Sequence, residues 1–132
     1  MGKFVLEGVY AAIVTPFTKD EQVDEHALRE LIRFIEKDVD GVVPCGTTGE
    51  FDYLSFEEKK KIYGICVDAL NGKKKVIAGT GAASTRNVIE LVKCAEDIGV
   101  DACLIASPYY LTPRDKGMHE HYYRISRKTD LP

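Results

Sequence analysis

The residues of this chain best suited to chemistry are Gly46-Thr47-Thr48-Gly49-Glu50, set directly after the apolar run Gly41-Val42-Val43-Pro44-Cys45. Threonine hydroxyls are neutral donors, and glycines leave neighbouring backbone N–H groups uncovered. At the carboxyl end of a buried parallel strand, such a segment can hold a small carboxylate. Taken alone, the run reads equally well as an ordinary turn, because Gly and Thr are common where a strand ends and a helix is capped.

Other chemistries find little footing. Cys45, Cys66, Cys94 and Cys103 form no CxxC pair and have no histidine at metal-ligand spacing, so they read as reduced, buried thiols of a cytoplasmic protein. His119 and His121 lie two apart on a helical stretch and face different sides, a poor metal pair. Both read as surface residues, and His26 is unremarkable. No GxGxxG follows a strand and no GxxxxGK[ST] loop is present, which argues against nucleotide binding. A formal net charge of -3, with the 18 basic residues scattered, argues against a nucleic-acid surface. No apolar run approaches membrane-spanning length, and the N-terminus lacks a signal-peptide pattern.

The elements that must position the Gly-Thr motif alternate along the chain. Near-continuous apolar runs at Val9–Val14, Gly41–Cys45, Val76–Thr80 and Ala102–Ala106 predict parallel strands covered on both faces. Between them, Asp24 precedes a stripe of Leu28, Leu31, Ile32 and Ile35. Ser55-Phe56-Glu57-Glu58 forms a capping box ahead of Ile62, Cys66, Ala69 and Leu70, and Asn71-Gly72 stops that helix. Ser84 or Thr85 caps a third helix ending at Gly99, and Thr112-Pro113 opens a fourth, with Asp115 in its first turn. With 132 residues, 45% of them hydrophobic, the chain is expected to form a single domain over residues 1–132. Strand starts recur at intervals of roughly 26–35 residues, the size of a βα unit. This α/β series fits either a small doubly wound sheet or four units, (βα)4, of an eight-stranded β/α barrel.

Several segments together resemble the dihydrodipicolinate synthase and N-acetylneuraminate lyase family of pyruvate-dependent aldolases. They are Val14-Thr15-Pro16-Phe17, the stretch Gly41–Glu50 with Leu54-Ser55 and Glu57-Glu58, Val76–Gly81, Ser107-Pro108-Tyr109-Tyr110, and Thr129-Asp130-Leu131-Pro132. The resemblance implies a TIM barrel, (β/α)8, about twice this length. The chain is then its N-terminal half, strands one to four with their helices, and Thr129–Pro132 is the approach to strand five.

The resemblance also implies roles. Gly46, Thr47 and Thr48 would bind the carboxylate of pyruvate, or of another small keto acid. Tyr110 would reach across a dimer interface and form a proton relay with Thr47, while Tyr109 packs. Glu50 would be a buried structural partner of the loop. No metal and no diffusible cofactor is implied, because a lysine–pyruvate imine supplies the electron sink. That lysine belongs to strand six, and a further tyrosine to strand five. None of the lysines present is placed to act as this nucleophile. Lys3 and Lys19 lie before the first helix, and Lys37, Lys59, Lys60, Lys61 and Lys93 lie on helices. Lys73, Lys74 and Lys75 stand at the wrong end of strand three, and Lys116 and Lys128 fall in the last helical region.

A half-barrel would expose edge strands and an apolar inner face, so a homo-oligomer or a complementary half-barrel chain is expected as partner. Thr47 resembles the synthase-type motif. Phe51-Asp52-Tyr53 departs from the Ser-Pro-Thr of dihydrodipicolinate synthases and resembles sugar-acid aldolases instead. The functional expectation is a lyase or synthase condensing pyruvate with aspartate-semialdehyde. Its alternatives are a sugar-acid aldolase and a non-catalytic, self-associating half-barrel or carboxylate binder.

Overall fold

A computed structural model describes Val5 and residues 7–132. Lys3, one of the lysines weighed above, lies outside the described residues. The elements run β1 (Tyr10–Ala12), α1 (Glu25–Ile35), β2 (Gly41–Val43), a 3₁₀ turn (Phe51–Tyr53), α2 (Phe56–Leu70), β3 (Lys75–Gly79), α3 (Thr85–Ile98), β4 (Ala102–Leu104) and α4 (Asp115–Ser126). All neighbouring strands pair in parallel in the order β1-β2-β3-β4. Sequential parallel order without a reversal point is the barrel's arrangement, not the doubly wound one.

The regular strands are shorter than the apolar runs that announce them. Pairing continues past their ends through single bonds, Ile13 N–H to the Val43 carbonyl (3.2 Å), Gly79 N–H to Pro44 (2.9 Å) and Thr80 N–H to Leu104 (2.9 Å), as the chain bends into the loops. At the opposite end, Asp40 accepts from Val9 N–H (2.7 Å), and Asp101 accepts from Val76 N–H (2.9 Å) and Lys75 Nζ (2.7 Å). Each aspartate, sitting just before one strand, thereby fixes the start of its neighbour.

Helix boundaries follow the caps. Asp24 accepts from Ala27 N–H, Ser55 and Glu58 make a reciprocal capping box, Ser84 accepts from Asn87 N–H, and Asn71 and Gly99 end their helices in left-handed conformation. Helix α4 begins at Asp115, two residues beyond Pro113, and Arg114 caps it without a side-chain bond.

The outer sheet face and the helices share the main core, with Leu28, Ile32, Val42, Ile62, Tyr63, Cys66, Val76 and Ala78 all buried. Val88, Leu91, Val92 and Ile125 close the α3–α4 seam. On the other face, Val43, Ile77 and Ala102 form only a small cluster with Tyr10. Val14 is 51% exposed and Leu104 53% exposed, so no described element covers the inner face near the mouth. Beside β4, Cys103 N–H donates to the Pro132 carbonyl at 2.9 Å, which lays the Thr129–Pro132 segment along that edge.

Candidate functional site

The Gly-Thr motif sits at the carboxyl end of β2, bracketed by two left-handed non-glycine residues, Cys45 (φ 55°) and Glu50 (φ 59°). The Gly46 carbonyl accepts from the N–H groups of Gly49 (3.0 Å) and Phe51 (3.4 Å), and the Thr47 carbonyl accepts from Glu50 (3.1 Å). The loop is thus coiled on its own carbonyls, while the N–H groups of Gly46, Thr47 and Thr48 find no backbone acceptor among the described residues. Strained backbone of this kind persists only where its surroundings hold it.

Two buried contacts do so. Thr15, 6% exposed, donates its hydroxyl to the Gly49 carbonyl at 2.7 Å, tying the end of β1 to the loop. Across the sheet, β3 passes so near the Cys45 carbonyl that a Cβ on Gly79 would overlap it. The Gly79 carbonyl is itself held by the buried Tyr63 hydroxyl at 2.6 Å. These supports account for Thr15 in Val14-Thr15-Pro16-Phe17 and Gly79 in Val76–Gly81. Both segments stand out in the sequence, yet neither residue had an expected role there. The only local signal was a polar residue, and a side-chain-free one, interrupting an apolar strand end.

The loop opens onto a concavity of about 170 Å³. The concavity is lined by Cys45, Gly46, Thr47 and Phe51 after β2, by Gly79 and Gly81 at the end of β3, and by Leu104 to Ala106 at the end of β4. Thr47 and Thr48 are exposed, and the space beside Gly46 is open. Neither Thr48 nor Tyr110 is among the lining residues, so of the expected site residues the structure gathers Gly46 and Thr47 in the concavity, with Thr48 adjacent in the loop. Tyr110 does not line the concavity and is 95% exposed.

The thiols take no ionised part. Burial pushes Cys45 well above the ordinary thiol range, Cys66 up to about 12 and Cys103 up to about 11. No lysine lines the concavity. Lys59, expected only as a helix residue, is 7% exposed, and its ammonium lies over the Phe51 ring at 5.6 Å from the centroid. Burial lowers its pKa. Among the described residues no cluster of three His, Cys, Asp or Glu could hold a metal ion, and no helix is long and apolar enough to cross a membrane.

Two expectations are overturned. Glu50 is exposed rather than buried, because its left-handed backbone turns the chain outward into the 3₁₀ turn. His121 is not a surface residue: it is 3% exposed in the α3–α4 seam, Nδ1 shares a hydrogen bond with Thr85 Oγ1 at 2.9 Å, and Nε2 has no partner. Burial lowers its pKa. Its spacing four residues before Ile125 on one helix face was the available signal.

Comparison with known proteins places this geometry. The dihydrodipicolinate synthetase family matches residues 5–132. A 4-hydroxy-tetrahydrodipicolinate synthase of Methanothermobacter thermautotrophicus is 44% identical over 128 residues, covering 96% of this chain and 45% of that protein. The chloride-inhibited dihydrodipicolinate synthase of Acinetobacter baumannii, solved with pyruvate, superposes with a TM-score of 0.93 at 42% identity, covering 97% of this chain and 44% of that one. N-acetylneuraminate lyase of Mycoplasma synoviae superposes at 0.88 with 35% identity, covering 95% and 44%. The chain therefore spans somewhat less than half the length of the relatives it matches.

Proposed function

Because the chain belongs to the dihydrodipicolinate synthetase family, we propose that it supplies the carboxylate-binding half of a pyruvate-dependent Schiff-base lyase or synthase of the 4-hydroxy-tetrahydrodipicolinate synthase kind. The observation that carries this reading is the loop at Gly46–Gly49. Its free N–H groups and two exposed threonines stand at the carboxyl end of β2, at the rim of the concavity.

In this reading the carboxylate of pyruvate, or of another small keto acid, is held by Thr47, Thr48 and the Gly46 amide. Donors fixed by the Thr15 and Gly79 contacts need no rearrangement as charge develops during reaction. Tyr110 and Thr47 pass protons, with Tyr110 contributed by a second copy of the chain, which accords with its 95% exposure. The amine nucleophile comes from the part of the barrel that relatives carry beyond the matched length. That part also covers the exposed Val14 and Leu104, so catalysis requires the completed barrel, and the chain alone is inactive. A cytoplasmic setting belongs to the same reading, in keeping with four free cysteines.

Incubating this chain, paired with the remaining half of a relative, with pyruvate and borohydride, followed by intact-mass measurement, tests the assignment. The expected reduced adduct appears on the partner half only, and Thr47→Val or Thr48→Val lowers its yield at subsaturating pyruvate. No adduct on either chain overturns the reading, and an adduct on this chain moves the nucleophile here. A second reading, a non-catalytic half-barrel that self-associates, is favoured by the exposed inner face. It expects an even-numbered oligomer of this chain alone without any adduct. Within the family, aspartate-semialdehyde is the leading second substrate, and Phe51-Asp52-Tyr53 gives a sugar acid as the alternative, to be separated by assaying both.

A further inference from the structure

We propose that Tyr109, held edge-on against Phe51, is a positioning residue that keeps Tyr110 at the apex of a strained turn and couples that apex to the carboxylate-binding loop. The inference rests on the reading above, in which Tyr110 and Thr47 share a proton relay.

Leu111 N–H donates to the Tyr109 carbonyl at 2.9 Å, and Tyr110 between them has φ 66°. A two-residue closure around a positive φ is the rarer and strained form of the γ-turn. An aromatic residue has no intrinsic reason to adopt it, since its Cβ crowds the following carbonyl. Tyr110 and Leu111 are 95% and 82% exposed, so the apex itself gains nothing from burial within the chain. Within the chain, the support for the turn comes from the segment that precedes it.

The flank before the turn is anchored. Pro108 is buried, and the Tyr109 ring meets the Phe51 ring at 5.8 Å between centroids and 85°, the edge-to-face geometry that aromatic pairs prefer. Phe51 is fixed in turn: its N–H donates to the Gly46 carbonyl, and the Lys59 ammonium lies over its ring. The same contact thus reaches back into the loop that carries Thr47. Burial, and then Asp52 beside it, push the Tyr109 hydroxyl up to about 12, so it stays a neutral donor through the ordinary pH range. Further back on the same side, Ser107 Oγ and Tyr122 Oη lie 3.1 Å apart, and Tyr122 donates to the Ile105 carbonyl at 3.3 Å, fastening the segment to α4. The backbone that enters Tyr110 is thus held at Ser107 and at Tyr109, immediately before the positive φ.

The test uses the 132-residue chain, isotope-labelled and paired with the remaining half of a relative. A positive φ brings the amide and Cα protons of one residue close together, so Tyr110 should show a strong intraresidue HN–Hα cross-peak in NMR spectra. That cross-peak is expected in wild type and in Tyr109→Phe, which keeps the ring, and is expected to be lost in both Tyr109→Leu and Phe51→Leu. The second variant breaks the contact from the opposite side, so a folding failure in one leaves the other decisive. Retention of the cross-peak in the leucine variants overturns the proposal, as does its loss in Tyr109→Phe.

In the completed barrel Tyr109→Leu is expected to lower kcat at least tenfold with the KM for pyruvate changed less than twofold, because Tyr109 does not line the concavity. An unchanged kcat alongside a lost cross-peak overturns the positioning role. A wild-type barrel with no pyruvate chemistry overturns the proposed function instead, and the cross-peak then still decides the geometry.

Discussion

Replacing Thr15 by valine removes one hydroxyl and almost no volume. In the native chain that hydroxyl donates to the Gly49 carbonyl at 2.7 Å, and Thr15 is 6% exposed. The valine variant therefore leaves a buried carbonyl without its donor, in a loop whose strained ends at Cys45 and Glu50 depend on outside support. A typical hydrogen bond contributes about 1 kcal/mol net, but a buried group left unpaired costs about 1–3 kcal/mol. The extra methyl offsets about 0.8 kcal/mol of that, so a net loss of about 0.2–2 kcal/mol is expected. With a urea m-value of about 2 kcal/mol/M, the unfolding midpoint falls by roughly 0.1–1 M. Thr15→Ser separates the two effects, because it keeps the donor and gives up only the methyl. Paired urea titrations, followed by circular dichroism, check this. The brace is refuted if Thr15→Val unfolds at or above the wild-type midpoint. In the completed barrel the same valine variant should raise the KM for pyruvate, since the loop donors lose their support.

Other perturbations bear on the same framework. Gly79→Ala places a Cβ into the Cys45 carbonyl and is expected to lower stability by roughly 1–3 kcal/mol, as overpacking against rigid backbone does, which calorimetry reads directly. Asp101→Ala removes the acceptor of Val76 N–H. It should cost about 1 kcal/mol by chemical denaturation, because the accompanying Lys75 pair is half-exposed and contributes little. His121 is pulled below its ordinary value by burial, so the unfolded chain binds its proton more readily than the fold does. The resulting stability is fully present above the unfolded value of about 6.5 and is lost as pH falls from there toward the folded value. Unfolding midpoints at pH 8 and pH 5 should differ in wild type by more than in His121→Gln; equal differences would exclude His121 as the source.

The exposed inner face favours a partner for the sheet. Parallel strands are stable when both faces are covered, yet here the helices cover one face and leave Val14 and Leu104 half in water. The expected domain over residues 1–132 is therefore proposed as a folding unit only in company, whether with the rest of a barrel or with a second copy.

Much of this architecture is written in local pattern. The helices α1, α2 and α3 start at Asp24, Ser55 and Ser84 because each side chain satisfies an amide three residues on, and two of them end at Asn71 and Gly99 because those residues tolerate a left-handed backbone. Such interactions span less than one turn and are legible without knowing the fold. So is the Gly-Thr-Thr-Gly segment, whose residue types announce free donors wherever the strand before it ends. The strand limits were overestimated, because apolar runs report burial and the regular ladder stops where the chain bends.

What the sequence could not disclose involves residues far apart along the chain. Thr15 meets Gly49 across 34 positions, and His121 meets Thr85 across 36. Gly79 is needed only because β3 passes the Cys45 carbonyl, and Phe51 finds Tyr109 only once β2 and β4 end at the same mouth. The sequence by itself determined the kind and order of the elements and the chemistry of the loop, since both arise from neighbours in the chain. Tertiary structure alone decided which backbone groups approach one another, and hence why Glu50 is exposed while His121 and Lys59 are buried. Burial is a property of what packs opposite a residue, and that partner comes from another element.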